Sequence, residues 1–313
     1  MINDNNRFSP ILVTGAHRSG TTWVGKTLAR APGVTYIHEP FNLMHRRGIL
    51  NVPIEKWYTY VSEENNNDFY GAVKAMLEFR YSLIPEMSSL KSITDLGRMM
   101  RDFWRTSYFN ITHARPLIKD PFAVFSAPWF FNKFHARVLI LVRHPAAFVS
   151  SIMERGWDFP FRHFLEQPNL IQDHLQPFSA EIEEFAYRQS PLIDQAILIW
   201  RSIYHVVNKF RQVYPSWSVI KHEDLSINPV EKFAHLYGDL GLDWTTKVKL
   251  FIEKSTNSKN SSDTTSTRVL DINRNSQENI KYWKMRLKED EINYIREASE
   301  DVSTCFYSAQ DWL

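Results

Sequence analysis

Cysteine is almost absent from this chain of 313 residues, where Cys305 stands alone. A lone thiol forms no intramolecular disulfide and no Cys-rich metal site, which excludes a stapled secreted scaffold and points to a reducing compartment. Long apolar runs are missing as well. No stretch reaches the roughly 20 residues needed to span a bilayer, and the polar start Met1 to Pro10 has no apolar core of a signal peptide. A soluble cytoplasmic protein is expected. Neither sign of charge is in excess: 37 Lys and Arg against 35 Asp and Glu leave a net charge of +2, too balanced to bind nucleic acid by bulk electrostatics. Anion binding must therefore be local. The eleven His are scattered, without H-E-x-x-H or a comparable spacing, so no metal requirement is expected.

What is present reads as a globular α/β chain. Hydrophobic residues at 43% and charged residues at 23% exclude the disordered, collagenous and coiled-coil classes. Five short apolar runs have the character of buried strands: Ile11–Thr14, Val34–Ile37, Leu117–Ile118, Val138–Val142 and Ser218–Ile220. Helical periodicity fills the stretches between them, so the expected architecture is three-layered, a central parallel sheet covered by helices on both faces. One domain over residues 1–313 accommodates it, with helical inserts near 44–115 and 156–189. Ligands in such sheets sit beyond the carboxyl ends of the strands, where long inserts make natural lids and acceptor walls. Helices are expected over Thr22–Ala31, stopped by Pro32-Gly33, over Ala146–Glu154 behind Pro145, and over Glu289–Glu297. A Ser/Asn/Thr-rich run near 255–267 is expected to be a mobile loop, or one ordered by a ligand. The ten Trp fit either aromatic surfaces for a planar ligand or a Trp-rich core.

The most informative residues are Gly15-Ala16-His17-Arg18-Ser19-Gly20-Thr21-Thr22-Trp23, between the first strand and the first helix. Successive backbone N–H groups in such a turn form a concave nest, the helix N-terminus adds partial positive charge, and glycine lets anion oxygens approach. The spacing matches G-x-x-x-x-G-K-[ST] at both glycines and at Thr22, but Thr21 stands where the lysine belongs. A nucleoside triphosphatase needs that lysine on its β- and γ-phosphates; here the cation is Arg18, inside the loop. The bound group is then not expected to be a triphosphate.

His17-Arg18-Ser19-Gly20-Thr21-Thr22-Trp23 resembles the 5′-phosphosulfate loop of the sulfotransferases, which use 3′-phosphoadenosine 5′-phosphosulfate (PAPS) as sulfuryl donor. Val138–Val142 followed by Arg143-His144-Pro145, with Ser151 eight residues after the arginine, resembles the family's 3′-phosphate motif, and Arg155 lies one turn further on. Lys119-Asp120-Pro121-Phe122 resembles a segment of tyrosylprotein and related bacterial sulfotransferases, where the lysine stabilises the transferring group. His222-Glu223-Asp224-Leu225 is similar to a Tyr-Glu-Asp-Leu element, with His222 at the tyrosine that borders adenine. The resemblance also implies that Trp23 stacks on adenine, a helix-core Trp being the alternative, and that Arg274 and Trp283 belong to a donor-covering segment.

A hydroxyl acceptor must lose its proton as it is sulfated, so a carboxylate or imidazole is needed within reach of it. Glu39, directly after the second strand, corresponds to the glutamate base of carbohydrate and tyrosylprotein sulfotransferases; His38 is the fallback, and a purely structural ion pair is the alternative role for Glu39. The resemblance thus implies a P-loop-type fold and in-line sulfuryl transfer to a hydroxyl of a carbohydrate, lipid or small metabolite, with Glu39, Arg18 and Lys119 as catalytic groups. The rivals are a P-loop nucleotide kinase and a catalytically silent nucleotide-binding protein.

Overall fold

The computed structural model describes residues 9–88, 90, 92–256 and 280–313. Five strands form one sheet: β1 (Ile11–Gly15), β2 (Val34–His38), β3 (Arg115–Lys119), β4 (Arg137–Val142) and β5 (Ser218–Lys221), in the order β2-β3-β1-β4-β5. Every neighbouring pair is parallel. Each strand contains its expected apolar run and extends at least one residue beyond it. The first insert therefore closes before Arg115, which pairs with Val34 in the sheet and donates from Nη1 to the Leu240 carbonyl at 2.9 Å.

Alternate residues of each inner strand enter two separate cores, as the period of two requires. Leu12, Ile118 and Ile140 face a layer containing the helices α5 (Pro145–Arg155) and α6 (Leu192–Val213). Ile11, Val13, Leu117, Leu139 and Leu141 face α1 (Thr21–Leu28), α8 (Pro229–Asp239) and α9 (Thr246–Ser255). Further helices include α2 (Asn66–Leu77), α3 (Ile93–Ile111) and α4 (Ala127–Phe134), with the one-turn-and-a-half α7 (His222–Ile227) leading out of β5 and α10 (Glu289–Ala298) near the end of the chain. The first insert is only partly helical, in contrast to expectation. Residues 44–65 contain no helix or strand; the second insert is a run of short helical turns, one of them π-helical over Ile171–Leu175, that ends in a nine-residue helix over Ser179–Tyr187.

Side chains from the outer layers fasten the end of β4 and the end of α1. Tyr204 of α6 donates to the Leu141 carbonyl at 3.1 Å, Trp200 Nε1 to the Arg143 carbonyl at 2.8 Å, and Tyr237 of α8 to the Thr27 carbonyl at 2.6 Å. The chain visits β2 and β3 on one side of β1 and β4 and β5 on the other. The sheet reverses direction of winding at β1, which is where an open sheet of this type holds its ligand. No helix among the described residues is long and apolar enough to cross a membrane.

Candidate active site

The β1–α1 loop is shaped by two glycines that nothing larger replaces. Gly15 leaves the strand at φ 137°, and a Cβ there would fall 2.4 Å from the Leu141 carbonyl oxygen. Gly20 opens α1 at φ 89°, with the His222 ring so close that a Cβ would meet Cδ2 at 2.3 Å. No side chain caps α1, so its first amides are left to the loop's concave side. Arg18 has left-handed backbone at φ 65°; its Nε donates to Ser151 Oγ at 2.9 Å and its guanidinium lies 5.5 Å from the Trp157 ring centre. Arg143 Nη1 donates to the Arg18 carbonyl at 2.6 Å. Two arginines and a helix start are thus concentrated at the end of β1.

On the other side of the loop, β2 and β3 end in register, His38 beside Lys119. Glu39 follows at φ 44°, its amide donating to the Lys119 carbonyl at 2.8 Å. The turn brings its carboxylate onto the Lys119 ammonium, and Asn42 Nδ2 donates to the second carboxylate oxygen at 2.8 Å. Burial pushes the Glu39 carboxyl up, but Lys119, by charge and hydrogen bond, with His38 and Asn42, more than offsets it and holds the group below its usual range. Asp120 underpins the arrangement. Its two oxygens accept from the amides of Phe41 at 2.5 Å and Phe122 at 2.9 Å, which joins the loops after β2 and β3.

The loop, Arg143, His38, Glu39 and Asn42 open on one cavity of about 620 Å³. Its apolar wall includes Met44, Trp57, Phe122, Trp157 and Phe159, with Trp57 packed 4.5 Å from Phe122 between ring centres. No group of three or more His, Cys, Asp or Glu suited to a metal occurs among the described residues.

The chain matches the model of the sulfotransferase family over residues 10–246. It belongs to the sulfotransferase family. No match occurs among curated proteins. Similar solved structures include the sulfotransferase domain of the curacin biosynthetic pathway, at 13% identity and TM-score 0.46 over 92% of this chain and 96% of that one. They also include the sulfotransferase domain of the Synechococcus PCC 7002 olefin synthase, at 14% identity and TM-score 0.46 over 98% of each chain. A third is mouse sulfotransferase SULT7A1 complexed with PAP, at 13% identity and TM-score 0.48 over 97% of this chain and 87% of that one.

In this sulfotransferase the cavity wall includes His17, Arg18, Gly20, Thr21, Thr22, Trp23, Glu39, Arg143 and His222 of the expected site residues. Ser19 and Ser151 are buried, the first donating to the Ala16 carbonyl at 2.5 Å, the second accepting from Arg18. Arg155, half-buried, is not on the wall. Lys119 is fully buried and meets the cavity only through Glu39. Trp23 sets its ring edge against His222 at 5.6 Å and Phe233 at 5.2 Å, so it serves the core and the cavity together. Arg274 and most of the polar run near 255–267 lie outside the described residues. Trp283, expected in the donor-covering segment, is described. It is buried in the layer of α5 and α6, stacked on His144 at 4.9 Å and edge-on to Trp312, and is not on the cavity wall. Sequence reasoning missed Asn42, which a reading of Glu39 plus three in a tight turn exposes, and Tyr58, whose hydroxyl meets His17 Nδ1 at 2.5 Å.

His17 and His144 give the sulfotransferase a predictable acid sensitivity. Burial, with Arg18 adding to it, holds His17 down to about 4 from 6.5. Burial also holds His144 down to about 3, against the opposing charge of Asp311. The unfolded chain therefore takes up protons that the folded chain refuses. Their stabilising share is complete above the unfolded value of 6.5 and is lost as the pH falls toward 4. Neither ring nitrogen of His144 has a hydrogen-bond partner among the described residues. His144→Phe is accordingly expected to fold and to show a smaller loss of stability between neutral and mildly acidic urea titrations than the parent. An identical pH dependence in both would remove His144 from this account.

Proposed function

We propose that this sulfotransferase moves a sulfuryl group from PAPS to an acceptor hydroxyl, with Glu39 as the general base. The observation that carries the reading is that the β1–α1 loop, Arg18, Arg143 and the Glu39 carboxylate share one cavity. The donor set fits a nucleotide carrying phosphates at two positions. The first amides of α1 are uncapped, and two guanidinium groups line the same cavity, Arg18 from within the loop and Arg143 from the end of β4, where it donates to the Arg18 carbonyl. On this reading the loop amides and Arg18 hold the 5′-phosphate and stabilise the charge that grows there, Arg143 takes the 3′-phosphate, and Trp23 and His222 border the base. PAPS supplies the activated sulfuryl group.

Glu39 takes the proton from the acceptor hydroxyl as the oxygen–sulfur bond forms and the bond from sulfur to the 5′-phosphate oxygen breaks, releasing adenosine 3′,5′-bisphosphate. Lys119 works through Glu39, keeping the carboxylate ionised and aimed. The aromatic wall around Trp57 and Phe122 supports an acceptor with an apolar or planar face beside its hydroxyl, which leaves carbohydrate, lipid and small-metabolite acceptors within the class. A nucleotide kinase is disfavoured by Thr21 at the lysine position.

Calorimetry without divalent metal tests this directly. Adenosine 3′,5′-bisphosphate is expected to bind at least ~100-fold more tightly than ATP, given two charge-assisted phosphate sites. A screen of hydroxyl compounds with labelled donor should then yield a sulfated product. A strict Mg²⁺ requirement with tighter ATP binding would sink the proposal. Arg143→Ala is expected to weaken the bisphosphate by roughly 10- to 100-fold and adenosine 5′-phosphate far less. Equal losses for the two nucleotides would end the 3′-phosphate role of Arg143.

A further inference from the structure

The helix α3 (Ile93–Ile111) has a face that the fold leaves bare. Of its 19 residues only Met99 is buried. Placed at about 100° per residue, Ile93, Leu96, Met100, Trp104, Tyr108 and Ile111 fall in a single stripe, and all six are exposed, Ile93 by 86%, Trp104 by 67% and Ile111 by 75%. The opposite side is what holds the helix to the body. Asp102 pairs with Arg46, Phe109 packs on Phe79, Phe103 on Tyr81, and Asn110 Nδ2 donates to the Glu78 carbonyl at 2.6 Å. The stripe is therefore not a misplaced core face. Ile84 and Met87, on the short helix Leu83–Met87 that packs against α3, are also exposed, by 83% and 58%.

Charge identifies the occupant. Arg98, Arg101 and Arg105 run along one flank of the stripe, the first two with side chains 50% and 61% exposed. Arg98 is paired with Asp95 at 2.5 Å and Arg101 with Asp102 at 3.1 Å, while Arg105 lies over Phe109. These pairs are made within the helix and leave the guanidinium groups at the surface. An apolar stripe with Trp and Tyr at its middle and a basic row at its edge is the pattern of a helix lying in the headgroup region of an anionic bilayer. A second copy docked stripe to stripe about an antiparallel two-fold would instead set the two arginine rows side by side, which like-charge repulsion disfavours.

We propose that α3 docks this protein on the surface of an anionic membrane, the stripe entering the acyl boundary and the arginine row meeting lipid phosphates and carboxylates. This is peripheral binding, independent of the assigned chemistry. It has a consequence for the cavity, because Arg46, which grips both Glu86 and Asp102 beneath α3, is two residues from Met44 on the cavity wall. Docking through α3 holds that lip of the cavity beside the bilayer.

Cosedimentation of the full chain with phosphatidylcholine vesicles, with and without phosphatidylserine, is the test. Binding is expected only with phosphatidylserine, and it should weaken at high salt. The triple variant Arg98→Gln, Arg101→Gln, Arg105→Gln is expected to lose roughly 100-fold in partitioning. The double variant Met100→Glu, Trp104→Glu should abolish binding, and the single Trp104→Ser should reduce it. Unchanged thermal unfolding shows that each variant is folded. A parent protein that stays in the supernatant with phosphatidylserine vesicles overturns the proposal, as does equal binding by all variants. A stable dimer in sedimentation velocity that Met100→Glu, Trp104→Glu splits, without vesicle binding, assigns the stripe to a second copy and overturns it equally.

Discussion

Glu39→Gln is expected to lower kcat by roughly 10²- to 10⁴-fold, the range for losing a positioned general base, while leaving the affinity for adenosine 3′,5′-bisphosphate unchanged. The reasoning rests on where the carboxylate is held. Its amide is fixed to the Lys119 carbonyl, one oxygen faces the Lys119 ammonium and the other accepts from Asn42. An amide of the same shape preserves these placements and keeps an acceptor, but it cannot take a proton. Because Lys119 keeps the carboxyl below its usual range, the parent enzyme retains its base through neutral pH and into mild acid. Steady-state rates and calorimetry on the same variant separate the two effects. A rate equal to that of the parent would remove Glu39 as base and leave His38, which also lines the cavity, as the group to test.

Lys119→Met is expected to cost about 3 kcal/mol of stability, the low end for breaking a buried ion pair, since Glu39 retains 21% exposure while Lys119 is at 1%. The methionine fills much of the space against Gly25 and Tyr36, where Lys119 now packs, so the loss is chiefly electrostatic. Its signature is in pH. With the cation, Glu39 is depressed and contributes stability above its ordinary titration range, lost as pH falls through the lowered value. Without the cation, burial dominates, the carboxyl titrates higher, and the acidic limb of kcat/KM moves to higher pH. Urea unfolding and rate profiles across mildly acidic to neutral pH measure both, and the double variant with Glu39→Gln closes a cycle that isolates the pair. A rate profile with an unmoved acidic limb would show that Lys119 does not govern the ionisation of Glu39.

The strands were legible in the sequence because buried parallel strands read as continuous apolar runs, and the loop was legible because its glycines, hydroxyls and flanking elements all agree. The Glu39–Lys119 contact was not. The two are 80 residues apart, and only the register of β2 against β3 makes them neighbours. Ser151 was readable as a hydroxyl donor at a fixed distance from Arg143; that it accepts from Arg18 depends on how the loop backbone turns at a left-handed residue. The packing of Trp283 was not legible for a related reason. A Trp after a polar run gives no sign of which face it covers, and here His144 offered a flat partner inside the core. The long helix Leu192–Val213 did carry a signal, apolar residues three and four apart behind Pro191, but no motif drew attention to it.

The groups assigned to proton and sulfuryl transfer hang on strand ends and the β1–α1 loop, while most of the aromatic wall is drawn from the two irregular inserts. The first set is locked by sheet register and by Asp120; the second is held insert to insert, the Trp57 amide of the first donating to His163 Nδ1 of the second at 3.0 Å and the Tyr60 amide to Gln167 Oε1 at 2.8 Å. The two inserts therefore form one interlocked unit on a separate frame, and a graft from a relative that keeps their mutual contacts has to exchange both together, leaving the strand-end groups in place.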